Sequence, residues 1–221
     1  PAGLSLFNLS IPSQVANRPT LTGTLSAVSG ATGITVAGIS MSTGTSNAVD
    51  FTNASADFTG GGMVITTTSG RAFSATGGGT VTVQGAGNTI TTGTGTALNV
   101  VNTTIGASGL TFRSIDVNGA GTGINLNGTG TGGLTVTGNS AGSCGGTVTS
   151  KSVVATAPVT SDCTGGTIQN AATGIRLNNA ANVSLTRLRI TGTSAHNFGI
   201  YATNTTNFSL NNSVIDGTIG A

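Results

Sequence analysis

The amino-acid sequence predicts an all-β chain wound into a stack of similar coils, with three short strands in each coil of about 25 residues. A pattern of small, apolar, polar and apolar side chains returns along it: Ala48-Val49-Asp50-Phe51, Ala72-Phe73-Ser74-Ala75, Ala97-Leu98-Asn99-Val100, Gly123-Ile124-Asn125-Leu126, Gly174-Ile175-Arg176-Leu177 and Gly199-Ile200-Tyr201-Ala202. Its second positions fall at 49, 73, 98, 124, 175 and 200, giving spacings of 24, 25, 26, 51 and 25, so the long gap is expected to hold two periods with one repeat masked. Between these tetrads, further apolar residues alternate with polar ones, and a period of two is the signature of strands, not helices. Glycine, asparagine, threonine and serine separate the alternating runs and supply the corners.

Residues 1–47 alternate less regularly, through Leu4, Leu6, Leu9 and Ile11 and then Ile34, Val36, Ile39 and Met41. They are expected to form irregular initial coils of a single solenoid spanning 1–221, not a separate domain. From 48 to 221 the coils are regular, and the tetrads form the first apolar column. Val81/Val83, Leu110/Phe112, Leu134/Val136, Val183/Leu185 and Phe208/Leu210 form the second column, and Ile90, Ile115/Val117, Leu188/Ile190 and Ile215 the third. A lone coil cannot bury its own apolar side; stacked on copies of itself, it can. At the ordinary spacing of paired strands, roughly 4.8 Å, about nine coils make a rod on the order of 43 Å long. Asn179 with Asn204, and Asn182 with Asn207, lie 25 residues apart and are expected to stack into ladders at the turns.

The runs Thr-Ala-Leu-Asn-Val at 96–100, Gly-Leu-Thr-Phe at 109–112, Gly-Gly-Leu-Thr-Val-Thr-Gly at 132–138, Gly-Gly-Thr-Ile-Gln-Asn at 165–170 and Asn-Val-Ser-Leu at 182–185 carry a resemblance. In them the chain resembles a right-handed parallel β-helix, and more narrowly the β-strand-repeat segments of large bacterial surface and secreted proteins. The resemblance covers about residues 48–221. It implies an architecture more than an activity, and an extracellular or cell-surface, secreted setting in a bacterium.

Composition agrees with an all-β solenoid whose surface is made of neutral hydroxyls and amides. Only 5% of residues are charged, there is no Glu and no Trp, and Gly numbers 37. So much Gly, Thr and Ser would also suit a disordered tract, but 36% hydrophobic residues in three registered columns exceed what a linker needs. The net charge of +2 rests on 7 basic against 5 acidic residues, too few to grip a phosphate backbone, so nucleic acid is not an expected partner. No apolar run approaches the length of a membrane-spanning helix. The sequence begins at Pro1 without a signal-peptide pattern, which suits a mature or excised segment.

Cys144 and Cys163 are 19 residues apart and are followed by similar runs, Cys144-Gly145-Gly146-Thr147 and Cys163-Thr164-Gly165-Gly166-Thr167. This reads as an insertion, 144–163, clasped at its base, with Lys151 and Pro158 on the excursion. A disulfide is expected, and closing a loop of this size contributes roughly 3 kcal/mol. It would indicate an oxidising compartment. Two reduced, buried thiols are the alternative.

The inventory for catalysis is thin, and the reading is of a chain that is not an enzyme. Enzymes of the wider fold family that cut acidic polysaccharides gather carboxylates with Arg or Lys in a groove, whereas Asp50, Asp57, Asp116, Asp162 and Asp216 are scattered along this chain. Hydrolysis by paired carboxylates needs two such groups facing one bond. Gly138-Asn139-Ser140-Ala141-Gly142 matches a nucleophile-elbow string, but the motif requires a strand-to-helix turn and a triad histidine. Gly128-Thr129-Gly130-Thr131-Gly132-Gly133 matches a dinucleotide fingerprint by letters alone, without a following helix. One His, two Cys and no Asp-rich loop form no zinc or calcium set, so no cofactor is expected.

One surface cluster stands out. Arg176 and Tyr201 occupy the same place in consecutive coils and could stack as a cation on an aromatic ring. Arg187, Arg189 and His196 fall in the same two coils, and Asp216 lies close enough in register to pair with Arg189. Such a patch suits an anionic glycan, a host or cell surface, or a partner protein; the plainer reading is a solvated strand face. Ice binding needs Thr-x-Thr pairs in one flat column, and Thr80/Thr82, Thr89/Thr91 and Thr135/Thr137 fall at different phases.

Residues 205–221 carry a single charge, Asp216, and show no capping signal, although exposed strand edges are usually blunted by charge, Pro or a covering element. The sequence therefore points to a non-enzymatic extracellular structural protein, a stalk, adhesin segment or fibre subunit. Its coils would stack on neighbouring coils of a longer chain or end to end between molecules. The alternative is a carbohydrate-binding or polysaccharide-degrading β-helix module.

Overall fold

Each alternating run folds as a short strand, and each strand pairs in parallel with the strand one coil away. The description rests on a computed structural model, which describes residues 4–5, 10–11, 20–139, 144–145, 160–192 and 198–217. Among these, the strands form three parallel sheets of eight strands each, every third strand in the chain returning to the same sheet, in a right-handed parallel β-solenoid. The first sheet contains Leu4–Ser5, Leu25–Ala27, Val49–Thr52, Phe73–Thr76, Leu98–Val101, Thr122–Asn127, Thr173–Asn178 and Ile200–Thr203. The second contains Ser10–Ile11, Ile34–Ala37, Ala56–Thr59, Thr80–Val83, Thr104–Phe112, Leu134–Val136, Ala181–Thr186 and Thr206–Asn211. The third contains Thr20–Leu21, Ser40–Gly44, Val64–Thr67, Thr89–Thr92, Ser114–Asn118, Gly166–Gln169, Leu188–Thr191 and Val214–Asp216. No helix occurs among the described residues, and none is long and apolar enough to cross a membrane. Strands from residues 1–47 belong to the same three sheets.

The three apolar columns meet in one interior. Phe73, Leu98, Ile124 and Ile175 follow one another in strict register and are fully buried. From the second sheet Val81, Val83, Leu110, Phe112, Leu134 and Val136 are also fully buried, and from the third Ile65, Ile90 and Ile115 stack in register. In the N-terminal half, the buried rings of Phe51, Phe58 and Phe73 pack together, with centroids 6.0 Å apart between Phe51 and Phe58 and 5.4 Å apart between Phe58 and Phe73. Several buried polar groups are satisfied by their neighbours in adjacent coils. Asn88 plugs one corner: its Oδ1 accepts from the Met63 N–H at 2.8 Å, and its amide donates to the carbonyls of Gln84, Gly85 and Thr111.

The 51-residue gap does not hold a masked coil. Ile124 pairs directly with Ile175, Leu134 with Val183 and Val117 with Ile168, so the described residues form eight strand levels where the spacing suggested about nine coils. The excess residues leave between Leu134–Val136 and Gly166–Gln169, an insertion whose length happens to match one period.

Asparagine dominates the corners for a conformational reason. Eight of the nine described non-glycine residues with positive φ are asparagines, among them Asn53, Asn102, Asn179 and Asn204. Asn tolerates the left-handed region because its short side chain bonds locally. Ladders run between coils: Asn207 Nδ2 donates to Asn182 Oδ1 at 2.8 Å, Asn170 Nδ2 to Asn118 Oδ1 at 2.8 Å and Asn178 Nδ2 to Asn127 Oδ1 at 3.0 Å. At Asn179 the link to the next coil runs through the backbone, its N–H donating to Thr203 O at 3.1 Å.

Candidate functional site

The four described residues expected to form one surface patch, Arg176, Arg187, Arg189 and Tyr201, are spread around the rod. Arg176 and Tyr201 sit side by side on the first sheet, at paired positions of Thr173–Asn178 and Ile200–Thr203. They end a polar column that runs in register along the outside of that sheet through Asp50, Ser74, Asn99 and Asn125. Within it, Asn125 Nδ2 donates to Asn99 Oδ1 at 2.9 Å and Asn99 Nδ2 to Ser74 Oγ at 3.3 Å. Tyr201 is half-exposed, and its ring packs against exposed Phe198 with centroids 5.1 Å apart.

Arg189 lies on the third sheet and is engaged. Its Nε donates to Asp216 Oδ1 at 3.0 Å and its Nη2 to Oδ2 at 2.9 Å, a bidentate pair. The bonds from Arg189 hold the Asp216 carboxyl below the usual carboxylate range, and the same bonds raise the guanidinium of Arg189. Arg187 occupies the corner between the second and third sheets with φ of 57°, its side chain lying over Gly138. A Cβ on Gly138 would come within 3.1 Å of Arg187 Cβ. His196 lies outside the described residues. Three arginines of a single coil thus face different directions, because its successive strands belong to different sheets.

The cysteines are brought together. Their Cα atoms are 4.6 Å apart and their sulfurs are within bonding distance, at the base of the insertion. Gly145 packs against the last coil, where a Cβ would meet Ser213 O at 2.9 Å. Lys151 and Pro158 lie outside the described residues.

The strand carboxylates remain apart. Asp50 is on the first sheet, where it accepts from Asn47 Nδ2 at 2.9 Å; Asp57 is on the second; Asp116 and Asp216 are on the third, three strands apart. Their neighbours in register are serine and threonine: Ser26 and Ser74 beside Asp50, Thr35 and Thr82 beside Asp57, Thr91 beside Asp116 and Thr191 beside Asp216. Asp116 accepts from the Thr167 N–H at 2.9 Å, and burial pushes its carboxyl above the usual range. No group of His, Cys, Asp and Glu able to hold a metal ion occurs among the described residues.

The last described coil differs from those beneath it. Phe208 and Ile215 continue the columns of Val183 and Ile190, yet they are 39% and 46% exposed where Val183 and Ile190 are fully buried. The strands Ile200–Thr203, Thr206–Asn211 and Val214–Asp216 are the outermost of the three sheets. Comparison with protein families, with curated proteins and with solved structures found no match.

Proposed function

We propose that this chain is a non-enzymatic structural segment of an extracellular or cell-surface protein, a stalk, adhesin segment or fibre subunit, and that it works by accepting a further coil on its outermost strands. The observation that carries this reading is the last described coil. Phe208 and Ile215, with half-buried Ile200 and Leu210, present the same apolar cross-section that the next coil covers at the levels below. An exposed apolar patch framed by three free strand edges favours addition of matching strands. In the isolated chain the partner is a second copy. Sedimentation velocity should show concentration-dependent association that Phe208→Asp or Ile215→Asp abolishes. Identical monomeric behaviour of all three proteins removes end-on stacking from the account.

The proximity of Cys144 and Cys163 supports the oxidising setting. We propose that the disulfide is formed in the mature protein. Thiol titration of unfolded, unreduced protein should find no reactive group, and two would refute the bond. A second reading, contact with a glycan or partner protein, is favoured by the exposed Phe198–Tyr201 pair beside Arg176. Loss of glycan-array binding in an Arg176→Ala, Tyr201→Ala double variant supports it, whereas release of reducing sugar from a polysaccharide would overturn the non-enzymatic reading.

A further inference from the structure

The second sheet carries a groove that the regular pattern of coils does not require. The strand Thr104–Phe112 pairs Ile105 with Val81 but Leu110 with Val83, so residues 106–109 are pushed out of register. They bulge over the outer face: a Cβ on Gly106 would come within 2.6 Å of Thr82 Cγ2 and 3.2 Å of Thr80 Cγ2. A bulge of this kind re-aims side chains and leaves backbone unpaired, and such features cluster beside functional sites. Here it forms a wall, with exposed Ser108 on the rim, along one side of a groove of about 280 Å³. That volume is close to the lower end, roughly 300 Å³, of clefts that hold small ligands.

The floor is the register column Thr35, Asp57, Thr82, flanked by Ser55 and Thr80. Asp57 is oriented from one side only. Its Oδ1 accepts from the Thr82 hydroxyl and, at 2.6 Å, from Gln84 Nε2, while its Oδ2 has no hydrogen bond among the described residues. In a chain with so few charges, a carboxylate held by one oxygen at a groove floor presents the other as a fixed acceptor. Gln84 adds an amide oxygen, and the hydroxyls of Thr35 and Ser108 can each donate and accept. Among the described residues no cation and no aromatic ring lines the groove, which disfavours anions and stacked bases. A single carboxylate falls short of the oxygen set that a divalent cation takes.

We infer that this groove binds a neutral polyhydroxylated ligand, a short saccharide segment, with Asp57 accepting from its hydroxyls and Gln84, Thr35 and Ser108 completing the contacts. The site is separate from Arg176 and Tyr201 and does not depend on end-on stacking.

The test is an amide-correlation NMR titration of the whole chain with maltotetraose, cellotetraose and mannotetraose, with tetragalacturonate as the anionic comparison. At least one neutral sugar should saturably shift the Gln84 side-chain amide and the backbone amides of Asp57, Thr82 and Ser108. Asp57→Asn, nearly the same shape, should weaken binding at least tenfold. Ser108→Trp, placed on the exposed bulge, should block it. No shift with any neutral sugar, shifts centred on Tyr201, equal binding of tetragalacturonate, or full binding by Asp57→Asn each overturns the inference.

Discussion

Ile124→Ala removes the Cγ1, Cγ2 and Cδ1 atoms from a fully buried side chain that is clasped between Leu98 and Ile175 in register. Losing their transfer free energy costs about 2.4 kcal/mol at ~0.8 kcal/mol per carbon. The space left behind adds to this, because strands above and below are held by their own hydrogen bonds and cannot collapse into it. The total should be about 3–4 kcal/mol, inside the range of roughly 2–5 kcal/mol for such changes. Ile200→Ala makes the same chemical change in the last described coil, where the side chain is only partly buried. It should cost about half as much, since a solenoid's stability is approximately a sum of coil and neighbour contributions. The assay is denaturant unfolding followed by far-ultraviolet circular dichroism, because a chain with no Trp and one Tyr offers little fluorescence. A cost below about 1 kcal/mol for Ile124→Ala, or a larger cost for Ile200→Ala than for Ile124→Ala, would refute the claim that burial between coils holds the fold together.

Further outcomes follow from single contacts. Because the bond from Arg189 depresses Asp216 in the folded state, the pair's contribution is complete above the ordinary carboxylate range and lost as pH falls through the lowered folded value. Asp216→Asn should therefore cost about 0.2–1 kcal/mol at pH 7, a surface-pair magnitude that allows for solvent screening, and less at pH 2; an equal cost at both values contradicts this. Asp116 has the opposite sign: burial raises it, so stability falls as pH rises from the ordinary carboxylate value through the raised one. Asp116→Asn, which keeps an acceptor for Thr167 N–H, should raise the denaturation midpoint at pH 7, and a lowered midpoint would show that the charge is needed. Gly133→Ala would put a Cβ 2.0 Å from Asn182 O, so it should lower stability by about 1–3 kcal/mol. Gly121→Ala, with open space at its Cβ, should stay within about 0.5 kcal/mol in thermal melts.

Period and alternation revealed the coils because both are imposed by burial, which acts at each level of the stack. Val81 over Ala56, Leu134 over Leu110 and Ile190 over Ile168 are such cases. The long gap reads as holding a masked coil because Ile124 and Ile175 are two periods apart in the chain but neighbours in space, and spacing alone cannot tell an extruded loop from a coil. The arginines expected in one patch are dispersed for a related reason. Arg176, Arg187 and Arg189 are close in sequence, yet each bend of the coil turns the next strand outward in a new direction. The groove at Asp57 left one trace, since Val83 and Leu110 are 27 apart where the flanking steps, Phe58 to Val83 and Leu110 to Leu134, are 25 and 24. Those extra residues, Gly106-Ala107-Ser108-Gly109, lack charge or aromatic character and looked like any other corner.

The end-on claim is tested most directly by electron microscopy of the concentrated, unmodified chain. The account predicts rods joined end to end, with the strand repeat of roughly 4.8 Å running without interruption across each junction. Rods that remain single at every concentration, or that associate only along their sides, would contradict it.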